Sequence, residues 1–440
     1  MTIQARVLIL AKDDRLAGPL AEGLDRLGWR TVTARSPSAA MAALGDMMLQ
    51  AAVVDVESGG MDAYETAMRL KAHAAPRRLP VIALGRPDPH LRSSAFDLTL
   101  APPLHPTQAA MRLETLVREA VAEEEFARRQ ETFAERGRRL DPPVDTSGAW
   151  RVLAVGEPSP KFMGLNHALK AQGAEVIGAF TTYTAFDYLH DGDFDAVVLS
   201  PSSNVNEAMS ISAGMRRNTR LYHTPVLLHL PADTDFNYSE AYHRGVSDVA
   251  NHGTPEGETA ARVIELARAY RRQTAIRAAL DQAKTSGLMD AATGLYTRDL
   301  FAAHLGRLAK AARESGRPLS VCVLRVAERP EVMRARAGGW LDRAIPQIGS
   351  MIGRLIRTED TAARLGTEVF ALALPGTGER AGRTAGERIG AVIGCTAFDA
   401  GEGAPPFVLE FDIGVAELLP EEHPATTMER AAAASLKQAV

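Results

Sequence analysis

Arg357-Thr-Glu-Asp360-Thr-Ala-Ala-Arg-Leu-Gly366-Thr367-Glu368-Val369-Phe370 is the stretch on which the reading of this chain turns. Arg357 and Asp360 form an R-x-x-D pair, and five residues separate Asp360 from Gly366. An arginine fork can bind guanine O6 and N7 in bidentate fashion, or reach a phosphate. A carboxylate accepts from guanine N1–H and N2–H on the other edge. Together the two residues suit guanine. The bland reading of the same spacing is a surface ion pair worth little, so the surroundings decide. Ahead of the pair, Ile345, Ile348, Ile352 and Leu355 predict a helix over 341–356, with Arg357 exposed in the loop that follows. Behind it, Ala371-Leu-Ala-Leu-Pro-Gly-Thr377 reads as a strand and a turn.

With these neighbours the stretch resembles the heart of a GGDEF domain, the α/β fold of diguanylate cyclases. In that family an R-x-x-D pair lies five residues before the signature and binds an intercalated pair of cyclic di-GMP molecules. Arg357 and Asp360 keep that pair, and Arg388 stands on the following helix where the family often supplies a second arginine. Asp290-Ala-Ala-Thr-Gly-Leu-Tyr-Thr-Arg298 resembles the opening motif D-x-L-T-G-L-x-N-R. Phe411-Asp-Ile-Gly-Val-Ala416 resembles the late S-x-G-x-A strand. The resemblance covers residues 286–440 and implies cyclic di-GMP as ligand.

Catalysis is another matter. Synthesis of cyclic di-GMP needs two divalent cations on the triphosphate. In the family they are held by an acid at the end of the first core strand and by the third signature residue. Here the strand Leu319-Ser-Val-Cys-Val-Leu324 runs into Arg325, and Glu368 alone remains. Thr367 replaces a glycine that lets backbone approach the phosphates. Val369 replaces the fourth signature acid, and the F-K-x-x-N-D and G-H-x-x-G-D segments are unrecognisable between Ala327 and Asp342. The resemblance therefore implies a receptor with no catalytic residue and no metal. Its rivals are an active two-receiver diguanylate cyclase and a scaffold whose nucleotide site is also dead.

Upstream, apolar strands alternate with helical patterns twice. Arg6–Leu10, Ala51–Val56 and Pro80–Leu84 are matched by Trp150–Val155, Ala196–Leu199 and Pro225–Leu230. Gly28-Trp29 and Gly173-Ala174 punctuate the copies alike. The alternation predicts two doubly wound, flavodoxin-like parallel sheets, over 1–140 and 149–285. Each copy closes on a helical segment, 107–139 and 256–284, that either covers its own domain or pairs two chains as a homodimer. The first copy resembles a response-regulator receiver, since Asp55-Val-Glu-Ser-Gly-Gly-Met-Asp-Ala matches its phosphoacceptor turn. That resemblance implies Mg²⁺ as cofactor beside Asp55. The supporting residues are eroded, however. Ala11 and Lys12 replace an acidic pair, though Asp13 and Asp14 follow. Gly85 replaces the switch hydroxyl, and Ala101 replaces the lysine before Pro102. Asp55 is thus a weakened phosphoacceptor or a fossil. The second copy has Gly156-Glu157 for the acidic pair and Ser200 for the phosphoacceptor, which reads as a pseudo-receiver.

Composition sets bounds on all this. The 440 residues are 46% hydrophobic and 24% charged, room for about three domains. A net charge of −4 leaves no basic footprint for nucleic acid. Cys322 and Cys395 cannot by themselves make a disulfide framework or a zinc site. No stretch approaches 18 apolar residues, and nothing before Val7 resembles a signal peptide, so a soluble cytoplasmic protein without membrane insertion is expected. The order receiver, pseudo-receiver, degenerate GGDEF domain resembles a class of bacterial cell-cycle effectors. That resemblance implies a place at the cell pole and work with an adaptor to deliver a cell-cycle regulator to the ClpXP protease.

Overall fold

The computed structural model describes residues 6–57, 62–75, 77–85, 95–100, 105–144, 147–202, 204–231, 234, 236–282, 287–401 and 404–436. They fall into two compact units. One joins Met1–Leu140 to Ala283–Val440; the other is Asp141–Gln282.

The first unit contains two sheets. In the first, β1 (Arg6–Leu10), β2 (Arg30–Ala34), β3 (Ala51–Asp55), β4 (Val81–Leu84) and β5 (Leu98–Leu100) run parallel in the order β2-β1-β3-β4-β5. β3 and β4 are buried throughout, as continuous apolar runs must be when helices cover both faces. Helices α1 (Asp14–Arg26), α2 (Pro37–Asp46) and α3 (Ala63–Ala74) start where Asp13, Ser36 and Asp62 accept from free backbone N–H groups. After α1, Gly28 takes φ 92°, a left-handed turn that a side chain would disfavour. From the end of this sheet α4 (Pro106–Ala134) runs on for 29 residues.

The second sheet of this unit is antiparallel. β11 (Leu319–Val326), β12 (Thr361–Gly366), β13 (Val369–Pro375) and β14 (Phe411–Glu417) lie in the order β12-β13-β11-β14. Four helices pack on it, α10 (Arg298–Ser315), α12 (Trp340–Leu355), α13 (Glu379–Gly394) and α14 (Pro424–Leu436), and α11 (Pro330–Ala337) packs against α12. α12 buries Ile345, Ile348, Ile352 and Leu355, the stripe read from the sequence. It stops at Leu355 because Ile356 turns to extended backbone, ψ 157°, and launches the Arg357 loop.

The other unit holds β6 (Trp150–Gly156), β7 (Ala174–Ala179), β8 (Ala196–Ser200), β9 (Val226–Leu230) and β10 (Asp248–Asn251), all parallel in the order β10-β9-β8-β6-β7. Its helices are α5 (Pro160–Ala171), α6 (Thr182–Asp191), α7 (Val205–Met215), α8 (Tyr238–His243) and α9 (Glu256–Asp281). Read from the β7 edge, this is the strand order of the first sheet. Gly173, at φ 84°, ends α5 as Gly28 ends α1. Among the described residues no helix is long and apolar enough to cross a membrane.

Candidate functional site

Arg357 to Asp360 form a loop between α12 and β12 that closes on itself. The Arg357 backbone N–H donates to Asp360 Oδ2 at 3.0 Å, and the Asp360 N–H donates to the Arg357 carbonyl at 3.2 Å. Asp360 is only 6% exposed, and its Oδ1 is buried with no hydrogen-bond partner among the described residues. Burial, reinforced by the neighbouring Glu359, pushes the Asp360 carboxyl up to about 6. Burial, then the nearby Arg118, lowers the Arg357 guanidinium. The sequence reading made Arg357 an exposed loop residue. The structure corrects this: Arg357 is half-buried and Asp360 lies in the interior.

The cause is α4. Arg118 on α4 donates through Nη1 to Glu359 Oε1 at 3.0 Å and through Nε to Glu114 at 2.7 Å. About three turns further along, Arg129 donates through Nη2 to the Asp360 carbonyl at 2.9 Å and to Thr361 Oγ1 at 3.1 Å. Arg129 also pairs with Glu125, Nε to Oε1, at 3.3 Å. Glu125 Oε1 meets His304 Nε2 of α10 at 2.5 Å, and His304 Nδ1 meets Thr132 Oγ1 at 3.0 Å. Glu125, Arg129, Thr132 and His304 are all fully buried. Burial alone would raise the Glu125 carboxyl, but His304 and Arg129 outweigh it and hold it below its ordinary value. A chain of buried polar and charged groups therefore runs from α10 through α4 to the Arg357–Asp360 loop. Sequence reasoning missed Arg118, Glu125, Arg129 and His304, whose partners lie far off along the chain. Arg388 stands exposed on α13, a separate element from the loop.

The signature turn is arranged differently. Glu368, in the turn between β12 and β13, is held by Arg336 of α11 in a bidentate pair, Nε–Oε1 2.8 Å and Nη2–Oε2 2.6 Å. Such fork-to-carboxylate pairing takes up both oxygens that a metal would need. Arg325 stands near the end of β11, across the ladder from Val369 and Asp412, and its Nε is buried with no partner among the described residues. No cluster of three or more metal-ligating side chains occurs among the described residues. Thr367 does not adopt positive φ. The turn tolerates a β-branched residue here, at the expense of the close backbone approach a glycine would allow. Asp290 of the opening motif accepts from the Thr293 N–H and hydroxyl at 2.9 and 2.6 Å. Arg364 reaches from β12 to the Gly366 and Thr367 carbonyls at 3.1 and 3.2 Å, and so braces the signature turn.

In the first sheet, Asp55 ends β3 and is 3% exposed, with Oδ1 accepting from the Glu57 N–H at 2.9 Å. Gly85, just after β4, takes φ 136°. Ala101 and Pro102, and Ser58 to Met61 of the phosphoacceptor turn, lie outside the described residues. In the other unit Ser200 ends β8, and its Oγ lies 3.2 Å from His229 Nδ1. The His229 ring packs 4.5 Å from that of His252. Burial, then the neighbouring His252, pushes His229 down to about 4, and burial lowers His252 as well, so this pair is neutral near pH 7.

The family described as "Diguanylate cyclase, GGDEF domain" matches residues 287–439. No curated protein matches the chain. Among solved structures, the GGDEF domain of DgcB from Caulobacter crescentus in complex with c-di-GMP is similar at 26% identity, over 34% of this chain and 87% of that one, with a TM-score of 0.32. The coiled coil and GGDEF domain of the same protein, also with c-di-GMP, is similar at 25% identity over 42% and 93% of the two chains, with a TM-score of 0.33. The FimX GGDEF domain from Pseudomonas aeruginosa is similar at 21% identity over 34% and 93%, with a TM-score of 0.32.

Proposed function

Starting from a GGDEF domain at residues 287–439, we propose that this chain is a cyclic di-GMP receptor that makes no product. One contrast carries the reading. In the same domain the R-x-x-D loop offers a buried carboxylate oxygen with no partner, while the surviving signature acid is clamped by Arg336. A buried acceptor left unsatisfied is costly, and a guanine N–H would satisfy Asp360 Oδ1. Arg357 supplies the cation for guanine O6 and N7 or for a phosphate. The experiment has two arms on the purified full chain. Calorimetry with cyclic di-GMP is expected to show saturable binding. Incubation with GTP and Mg²⁺ is expected to yield no cyclic di-GMP, and sustained product would return the chain to the cyclases.

The Asp360 carboxyl gives this binding a pH dependence. Guanine donors require the ionised carboxylate, and its pKa lies near 6. The ionised fraction falls as pH drops through that value, so affinity should be about tenfold weaker at pH 5 than at pH 7.5. A flat calorimetric profile over this range would remove Asp360 from the site.

The finer assignments belong to the same proposal. The two parallel sheets are a receiver and a pseudo-receiver, kept as docking surfaces more than as phosphorylation switches. The ligand-bound chain acts as an adaptor that brings a cell-cycle regulator to ClpXP at the cell pole, alone or as a homodimer. Asp55 is subordinate in this scheme, since the hydroxyl and lysine that would follow a phosphoryl group are replaced. Asp55→Asn should leave cyclic di-GMP affinity within about twofold, about 0.4 kcal/mol. A variant as defective as one lacking Arg357, in binding or in polar localisation, would make the first sheet a working switch.

A further inference from the structure

A second cleft lies within the first unit, on residues used by neither the R-x-x-D loop nor the signature turn. It has a volume of about 880 Å³ and is lined from both sheets of that unit. Arg6 and Arg30 come from the starts of β1 and β2; Arg317 precedes β11, and Arg380 stands in the first turn of α13.

Its charges are not spent on one another. Among the described residues the side chains of Arg6, Arg30 and Arg380 make no hydrogen bond or ion pair. Arg317 is buried, with its side chain 9% exposed; its Nη1 pairs with Glu124 at 2.8 Å, while its Nε is buried without a partner. The N-terminus of α13 opens on the same space behind Gly378, which offers no capping side chain. The opposing carboxylates are Glu379, Glu417 and Glu421. Glu417 is engaged, its Oε2 accepting from the Glu379 N–H at 2.9 Å, and the other two are exposed. No aromatic side chain lines the cleft, so nothing there would stack on a base.

We propose that this cleft binds a ligand carrying a chain of phosphates, recognised by its charge. Guanidinium forks match phosphate oxygens in bidentate fashion. The N-terminus of α13 adds the first-turn N–H groups that Glu417 does not take. Three arginines without a partner among the described residues, converging from separate elements beside Arg317, fit several phosphate groups in a row better than a single carboxylate. The ligand would bridge the two sheets of the unit and is a different one from cyclic di-GMP at the R-x-x-D loop.

The test is calorimetry on the full chain with inorganic tripolyphosphate, and in parallel with ATP and GTP, at fixed ionic strength. Saturable binding of tripolyphosphate is expected, with ATP and GTP within about tenfold of it. Arg30→Ala and Arg380→Ala should each weaken binding by about tenfold or more, as loss of one charge-assisted contact implies. Both variants should keep wild-type affinity for cyclic di-GMP, which certifies their fold. Arg357→Ala should keep wild-type affinity for tripolyphosphate. Absence of saturable binding by all three probes would overturn the proposal. So would binding that survives Arg30→Ala and Arg380→Ala, binding lost in Arg357→Ala, or a nucleotide preference far beyond tenfold, which would mean a base is read.

Discussion

Arg357→Ala is expected to weaken cyclic di-GMP binding by roughly a hundredfold or more while leaving the chain folded. In the proposed complex the guanidinium would make charge-assisted contacts to guanine or phosphate, each about 1.5–3 kcal/mol, and two of them set that scale. The structure shows why the loop should survive. Asp360 Oδ2 is held by the backbone N–H of residue 357, which alanine also supplies. The Arg129 bond to the Asp360 carbonyl is likewise untouched. Removing the neighbouring cation should also push the Asp360 carboxyl above its value of about 6, which weakens binding further near neutral pH. Calorimetry at one salt concentration checks this, and equal affinity in variant and wild type would refute the site.

The largest effect on stability is expected from Glu125→Ala. Glu125 is 0% exposed and joins Arg129 to His304. Removing one partner from a buried charge network leaves the others uncompensated, at a cost of about 3–5 kcal/mol. Urea unfolding should show this loss, and hydrogen exchange should show α4 and α10 opening together. Replacing Glu125, Arg129 and His304 all by leucine should recover much of it, because apolar residues carry no desolvation penalty. A Glu125→Ala chain as stable as wild type would mean the network is solvated. Acid should act in the same direction. The folded-state carboxyl of Glu125 lies below its ordinary value of 4.5. Its contribution is therefore complete above about pH 4.5 and is lost as pH falls through the lower folded value.

Much of the fold is legible in the residues. Short apolar runs became parallel strands within a residue or so, because such runs bounded by turn residues have few other outcomes when both faces are covered. The period of Ile345, Ile348, Ile352 and Leu355 placed α12 and hence the loop after it. What could not be read was the fate of the charges. The segment 107–139 is rich in Glu and Arg, which suits a solvated helix. Yet Glu114, Glu125 and Arg129 are buried in it. Charge lies in the interior only with a partner, and these partners are far along the chain: Arg129 bonds residues 360 and 361, and Glu125 bonds His304. The Arg336–Glu368 pair was hidden for the same reason. Local spacing reports which residues share a helix face, not which carboxylate a guanidinium will find.

The split of the first unit along the chain has a consequence for its making. Met1–Leu140 leaves the ribosome well before Ala283–Val440 exists, with Asp141–Gln282 emerging in between. Domains tend to fold in the order they are made, so α4 must wait, already helical, for His304 and the 357–361 loop. An apolar waiting face would invite wrong partners during that delay. The face α4 presents has an apolar contact in Phe133, which packs on Tyr296, but also carries Glu114, Arg118, Glu125 and Arg129, with internal pairs Glu114–Arg118 and Glu125–Arg129 one turn apart. Until its mate arrives, water can solvate those charges. A nascent chain arrested near residue 282 should therefore stay soluble, with α4 formed and the 357–361 loop still unmade.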